Sequence, residues 1–417
     1  MNTLTRVTAI ALTACALALP AATLPAAAST TVPPHAPSAV AVRPLPALAP
    51  GVSPAASPAA SPAAPTPLEL PAPTGRFAVG AGELHLVDRS RPDPWVPTAD
   101  GRELMVTVRY PAARRTEGAP APYTTKEEAR LLLEATGVTD PAGVRDLTSV
   151  NTYSAKDVRP APGRHPLVVL SPGFGMPRYT LTGLAVDLAS RGYVVATVDH
   201  AYETLGTSVP GGRVLAPCVA CDQMEAGRIE GADVTAVRTA DVRFLLDRLT
   251  GPRAVQPYAR MIDRNRIGMA GHSIGGASAA AAMIADRRID AGVNMDGSFW
   301  DTLPAGGLGG RPFLFLGTDA MHRPGGVDTS WDTTWQALGG EKRWLTVAGT
   351  DHLSFTDAPV ILRHFGLPNE GDIPDARSQA VTHAYLAAFF GRHLRGEAQP
   401  LLDGPSPLHP EVRFNNP

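Results

Sequence analysis

The chain has 417 residues, a formal net charge of −2 and 44% hydrophobic residues, with three cysteines. That length holds one large domain or two ordinary ones, and a near-neutral balance excludes the polybasic surface that binds nucleic acid. Beyond the N-terminal segment, no stretch reaches the ~18–20 apolar residues that a membrane span requires.

The first residues have the pattern of an export signal. Arg6 precedes an apolar core from Val7 to Leu19, and Ala26-Ala27-Ala28 supply small residues for cleavage before Ser29. A signal peptide over residues 1–28 and secretion are therefore expected. Leu12-Thr13-Ala14-Cys15 also has the form of a lipoprotein box, which would acylate Cys15. The apolar core ahead of Cys15 is short and the residues after it stay apolar, which favours ordinary secretion. Residues 29–73 are built almost entirely of Pro, Ala, Ser, Thr and Val, with a tandem Ser-Pro-Ala-Ala from Ser53. Such a segment has no amphipathic period and no bulky core residues, so a disordered linker is expected.

The catalytic domain is expected over residues 74–417. Residues 77–88 and 102–110 alternate apolar and polar side chains, as antiparallel strands at a sheet edge do. A capped helix follows over 125–136. Its run Leu131-Leu132-Leu133 forms either a buried face or, less simply, a lipid-docking surface. Near-continuous apolar strands at 166–171, 193–198, 266–270, 291–295, 312–316 and 343–347 then alternate with helices near 178–190, 230–249, 274–284 and 377–394. This α/β pattern predicts a mostly parallel central sheet with helices on both faces and antiparallel N-terminal edge strands. Cys218 and Cys221, the cysteines left after signal removal, predict a short disulfide outside the cell. A zinc site would need two further ligands, so neither a metal nor any other cofactor is expected.

Gly271-His272-Ser273-Ile274-Gly275 lies between a strand and a helix of small residues, where G-x-S-x-G marks the nucleophile elbow of an α/β-hydrolase fold. The tight turn strains the serine, and its glycines avoid collision with strand and helix. A serine hydroxyl needs a base and an orienting carboxylate. His352 follows the strand 343–347 and fits the base. His364, His383 and His393 lie in or near helices, His322 follows an earlier strand, and His272 points the wrong way. For the acid, chain order leaves Asp296 and Asp319 both open, while Asp351 adjoins the base too closely. The oxyanion hole predicts the backbone amides of Ile274, after the nucleophile, and Phe174, flanked by Gly173 and Gly175.

Five segments taken in order resemble the plasma-type platelet-activating factor acetylhydrolases and their secreted bacterial relatives. They are Ser-Pro-Gly-Phe-Gly at 171–175, Val-Asp-His-Ala-Tyr-Glu at 198–203, Gly-His-Ser-Ile-Gly-Gly at 271–276, Asn-Met-Asp-Gly at 294–297 and His-Leu-Ser-Phe at 352–355. The resemblance implies an acid one strand earlier than in most such hydrolases, hence Asp296 with Ser273 and His352. It also implies metal-independent hydrolysis of short or oxidised sn-2 acyl chains of phospholipids, or of other short-chain esters. A secreted triacylglycerol lipase or polyester hydrolase is the alternative, and a non-catalytic cell-wall binding protein the reading from another class. Phe299 and Trp300 follow the acid and would wall an acyl pocket, with core packing as their other explanation. A monomer acting on an ester or phospholipid substrate, with transient lipid-surface contact, is expected.

Overall fold

The computed structural model describes residues 68–113 and 118–417. The expected signal peptide, the Cys15 box and most of the expected linker lie outside the described residues. Leu68 and Leu70 are already buried, against Tyr123, Leu133 and Leu147. Packing of the domain thus begins ahead of residue 74.

The strands in chain order are β1 (Ala78–Asp88), β2 (Arg102–Ala112), β3 (Ser154–Lys156), β4 (His165–Ser171), β5 (Val194–His200), β6 (Thr207–Val209), β7 (Arg213–Leu215), β8 (Ile262–His272), β9 (Ala291–Met295), β10 (Phe313–Thr318), β11 (Lys342–Val347) and β12 (Val412–Phe414). Ten form one sheet in the order β12-β11-β10-β9-β8-β4-β5-β2-β1-β3, and β6 pairs with β7 separately. The six strands from β11 to β5 run parallel. β2 and β1 continue antiparallel, and β12 closes the far edge antiparallel. This is the α/β-hydrolase arrangement that the apolar strand runs imply.

The parallel strands are buried because helices cover both faces. Gly231–Thr250 and Ile274–Ala285 lie on one side, placing Val242, Leu245, Leu246, Leu249 and Met283 in a core with Val169, Met269, Phe315 and Trp344. Thr182–Ser190 and Asp375–Arg395 cover the other side with Leu184, Leu188, Tyr385, Phe389 and Phe390. Truncating one such large buried side chain costs ~3–5 kcal/mol, so this double layer fixes the sheet on which the site is mounted.

Several boundaries differ from the sequence expectation for local reasons. β8 starts at Ile262, because the polar run Asp263-Arg264-Asn265 at its outer end hides the strand period. The segment 178–190 is a 3₁₀ turn, Arg178–Leu181, followed by an α-helix from Thr182. β3, β6, β7 and β12 have three residues each, too short to show a period. The outermost strand on the N-terminal side is β3, one beyond β1. The helix Lys126–Thr136 carries the expected start, with Thr125 and Glu128 in a reciprocal capping box. Its Leu133 is buried, and Leu132 packs beside it, which is the buried-face alternative for that leucine run.

Candidate active site

β8 runs directly into the helix Ile274–Ala285, and Ser273 forms the corner between them. Its backbone sits at φ 55°, ψ −130°, a conformation that costs a non-glycine residue about 1–3 kcal/mol. Strand and helix approach so closely that side chains have no room. A Cβ on Gly271 would lie 2.1 Å from the carbonyl carbon of Gly275, and one on Gly275 would lie 2.2 Å from the Ser171 carbonyl oxygen. The Ser273 amide donates to the Met295 carbonyl at 2.8 Å, which ties the corner to the end of β9.

Asp296 leaves β9 at that point, itself at a φ of 58°. Asn294 holds the turn by accepting from the Gly297 amide (2.9 Å) and donating to the Gly297 carbonyl (2.8 Å). Oδ2 of Asp296 meets Nδ1 of His352 at 2.6 Å. With Nδ1 engaged by a carboxylate, Nδ1 carries the proton and Nε2 the lone pair a base needs. His352 opens a 3₁₀ turn after β11, and its carbonyl is bonded by Nε2 of His272 at 2.7 Å. The two rings lie 4.6 Å apart. Burial, then the neighbouring His352 imidazole, push His272 down to about 3, so it stays neutral and serves as a brace.

The other oxygen of Asp296 is equally occupied. Oδ1 accepts the Thr318 amide at 2.6 Å and meets Nδ1 of His322 at 2.7 Å. Burial alone would raise the Asp296 carboxyl, but His322 and His352 hold it well below the usual carboxylate range. Asp296 is therefore an anion throughout the working range. Asp319, the competing acid, faces elsewhere, accepting from Thr346 Oγ1 (2.9 Å) and pairing with Arg413. Two of the competing histidines are engaged away from the corner: His364 meets Asp146 at 3.2 Å and His393 lies 3.8 Å from Glu341.

The loop after β4 brings Phe174 to the same corner. Gly175, at φ 76°, donates its amide to the Glu203 carbonyl at 3.0 Å. Arg238 holds the loop from below, donating to the Pro172 carbonyl and to Ser171 Oγ (3.2 Å) while Nε pairs with Glu203 at 2.8 Å. Phe174 and Ile274 pack in one apolar cluster with Ala220 and Val234. Ile274 opens its helix, where first-turn amides have no intrahelical acceptor.

Beneath this loop lies a fully buried network that composition did not reveal. Ser171 Oγ meets His200 Nε2 at 3.0 Å, and His200 Nδ1 meets Asp241 at 2.7 Å. This copies the connectivity of a Ser-His-Asp triad, but Ser171 is wholly buried, so no substrate reaches it. His200, Glu203 and Asp241 also place potential metal-ligand atoms within 4.8 Å of one another. Arg102, bonded to Asp93, Glu203 and Asp241, already supplies the positive charge there, together with Arg238. The arrangement fits a structural ion network better than a cation site. Arg238→Met should destabilise the protein by about 3 kcal/mol or more, because it strips a buried carboxylate of one cation. Chemical denaturation checks this, and an unchanged midpoint would remove Arg238 as the loop's anchor.

The two residues expected in the acyl pocket separate. The Phe299 ring lies within 5.5 to 6.4 Å of Phe315, Phe313 and Trp331, the core-packing alternative. Trp300 is 46% exposed and lies over Gly231, where a Cβ would come within 2.1 Å of the indole. Trp300 and Phe299 share a shallow recess with Ala277, Ala281 and Ile284, one turn and more along the helix from Ser273. A cavity of about 200 Å³ between Arg164, Leu249 and Arg264 lies at the opposite end of β4 and β8 and has no part in this constellation. Cys218 and Cys221 form the expected disulfide, and a Cβ on Gly175 would lie 3.9 Å from the Cys221 sulfur.

The platelet-activating factor acetylhydrolase, isoform II, family model matches residues 138–208 and 253–397. A "Probable 1-alkyl-2-acetylglycerophosphocholine esterase" of Arthroderma benhamiae is 31% identical over 387 residues, covering 84% of this chain and 94% of that protein. The "Platelet-activating factor acetylhydrolase" of Canis lupus familiaris is 22% identical over 265 residues, and the match spans 57% of its length. Among solved structures, a "Ferulic acid esterase from Streptomyces cinnamoneus" superposes with a TM-score of 0.75 at 47% identity, covering 84% of this chain and 99% of that one.

Proposed function

The chain belongs to the platelet-activating factor acetylhydrolase isoform II family and is a carboxylic ester hydrolase, and from that premise we propose a secreted serine esterase with Ser273, His352 and Asp296 as its triad. The observation that carries the triad is the strained Ser273 corner beside Asp296, whose Oδ2 stands 2.6 Å from His352 Nδ1. Ser273 attacks the ester carbonyl while His352 takes its proton, and Asp296 orients the ring and stabilises its cation. The amides of Phe174 and Ile274 bind the oxyanion. Water then hydrolyses the acyl-enzyme, with His352 again as base. Secretion rests on the N-terminal signal pattern, and the Cys218–Cys221 disulfide is consistent with it.

The proposed substrates carry a short acyl group, such as an sn-2 acetyl phospholipid. Two features motivate a second reading, an ester of an aromatic acid. The ferulic acid esterase is the more identical of the relatives above, and Trp300 offers an exposed aromatic surface near the corner. A rate panel distinguishes them, using sn-2 acetyl and long-chain phospholipids, methyl ferulate, short p-nitrophenyl esters and a polyester film. The expected result is hydrolysis of the acetyl phospholipid well ahead of the long-chain one. Preference for methyl ferulate would move the assignment to aromatic esters, and action on the film to a polyester hydrolase. No turnover on any of them would sink the enzymatic reading.

A further inference from the structure

We propose that His322 is a positioning residue for Asp296, a buried imidazolium that grips the carboxylate oxygen opposite His352 and shares its charge. The inference rests on reading Asp296 as the acid of the triad.

His322 ends the short helix Asp319–His322 and is 3% exposed. Its Nδ1 meets Asp296 Oδ1 at 2.7 Å and its Nε2 meets Asp328 Oδ2 at 3.0 Å. A neutral imidazole has one donor and one acceptor. Set between two carboxylates, the acceptor nitrogen would face an anionic oxygen, so the geometry calls for protons on both nitrogens. Asp328 is itself fixed by the Ser330 amide at 2.9 Å. The His322 ring stacks on Trp331, centroids 4.2 Å apart and planes 25° from parallel, a face that favours a cation. The same Trp331 donates its indole N–H to the Gly297 carbonyl at 2.7 Å, and Trp344 donates to the His322 carbonyl at 2.6 Å. Asp296 and Gly297 are thus clamped by His322 and Trp331 together. Burial works against the charge, but Asp296 and Asp328 outweigh it and lift His322 to about 9.

The arrangement forms a line, Asp328, His322, Asp296, His352, of alternating charge when His352 is protonated. Around it, His272 braces the His352 carbonyl as a neutral ring, and Asp319 turns away to Thr346 and Arg413. A fixed cation on Asp296 has two consequences. It stops the carboxylate rotating away from His352, and it weakens the pull of Asp296 on a proton at His352. The base therefore stays free at lower pH than an unshared carboxylate would allow.

The test is the pH dependence of kcat/KM on a soluble p-nitrophenyl ester for wild type and His322→Asn. Asparagine can place an N–H near the position of Nδ1, so a hydrogen bond to Asp296 remains while the charge is lost. The sign follows: without the cation, Asp296 and Asp328 both favour protonated His352, so the acid limb moves to higher pH. The expected shift is about one pH unit, with kcat about tenfold lower and KM unchanged. A lower kcat with an unshifted limb would mark His322 as merely structural and overturn the proposal. Ring NMR of His322 in the Ser273→Ala protein decides the matter without turnover, and does so even where His322→Asn fails to fold. Protons on both ring nitrogens at neutral pH are expected, and a single ring proton overturns the proposal. Full activity in Asp296→Asn would instead sink the triad reading beneath it.

Discussion

Ser273→Ala is expected to lower kcat for ester hydrolysis about 10⁶-fold, the scale on which a triad nucleophile is lost. The remaining rate, some 10³–10⁴ over water, would come from binding and from the oxyanion amides. The amides proposed for that role belong to the backbone at Phe174 and Ile274, which the substitution leaves in place. Substrate binding should accordingly persist while turnover fails. An organophosphonate probe should add to the wild-type protein at Ser273 and leave the alanine variant unlabelled. Labelling at any other residue, or activity retained within tenfold, would remove Ser273 from the mechanism. Strain gives a second handle on the same residue. Alanine keeps the Cβ and hence the penalty of φ 55°, whereas glycine relaxes it. Ser273→Gly should therefore be more stable than Ser273→Ala by about 1 kcal/mol, with both inactive. Equal stability would mean that the corner is not strained.

The parts of this site that are legible in sequence are those written locally. The elbow shows itself because Gly271, Ser273 and Gly275 are neighbours whose spacing encodes one strand-to-helix turn. His352 shows itself because a short loop follows an apolar strand. The fold is legible for a related reason, since strands buried on both faces must be apolar at nearly every position. Asp296 marks the limit. Both it and Asp319 end apolar strands, so chain order leaves the two open and only the family resemblance points to Asp296; in the fold one turns to His352 while the other pairs with Arg413. Beyond that limit lie the buried charges. Arg238 and Asp241 fall on the covered face of an otherwise ordinary amphipathic helix, and their partners lie 35 or more residues away. In sequence His322 reads only as a rival base, because its link to Asp296 spans 26 residues. No local pattern announces a pair that exists only once two strand ends meet. One trace of it does lie in the chain. A histidine followed within six residues by an aspartate, just beyond a strand end beside the acid's own, is the pattern by which such a clamp could be sought in other hydrolases of this fold.

The acid can be isolated by one pair of substitutions. Asp296→Asn should lower kcat about 10⁴-fold, since the amide can donate to His352 Nδ1 and so favour the tautomer with its proton on Nε2. The base nitrogen is then occupied and cannot accept from Ser273. Asp319→Asn should stay within a few-fold of wild type, because its contacts to Thr346 and Arg413 lie outside the reacting atoms. Stability provides an independent reading of the same charge. The folded carboxyl of Asp296 is held well below its ordinary 3.8, so its contribution is present above that value and is lost as pH falls below it. Wild type should consequently exceed Asp296→Asn in stability at neutral pH, and the gap should close in acid. A gap that persists unchanged at low pH would trace to packing rather than to charge. Near-native turnover in Asp296→Asn together with a collapse in Asp319→Asn would transfer the acid's role to the neighbouring strand. It would also leave His322 without a partner in the mechanism, because the cation has value there only through the carboxylate it shares with His352.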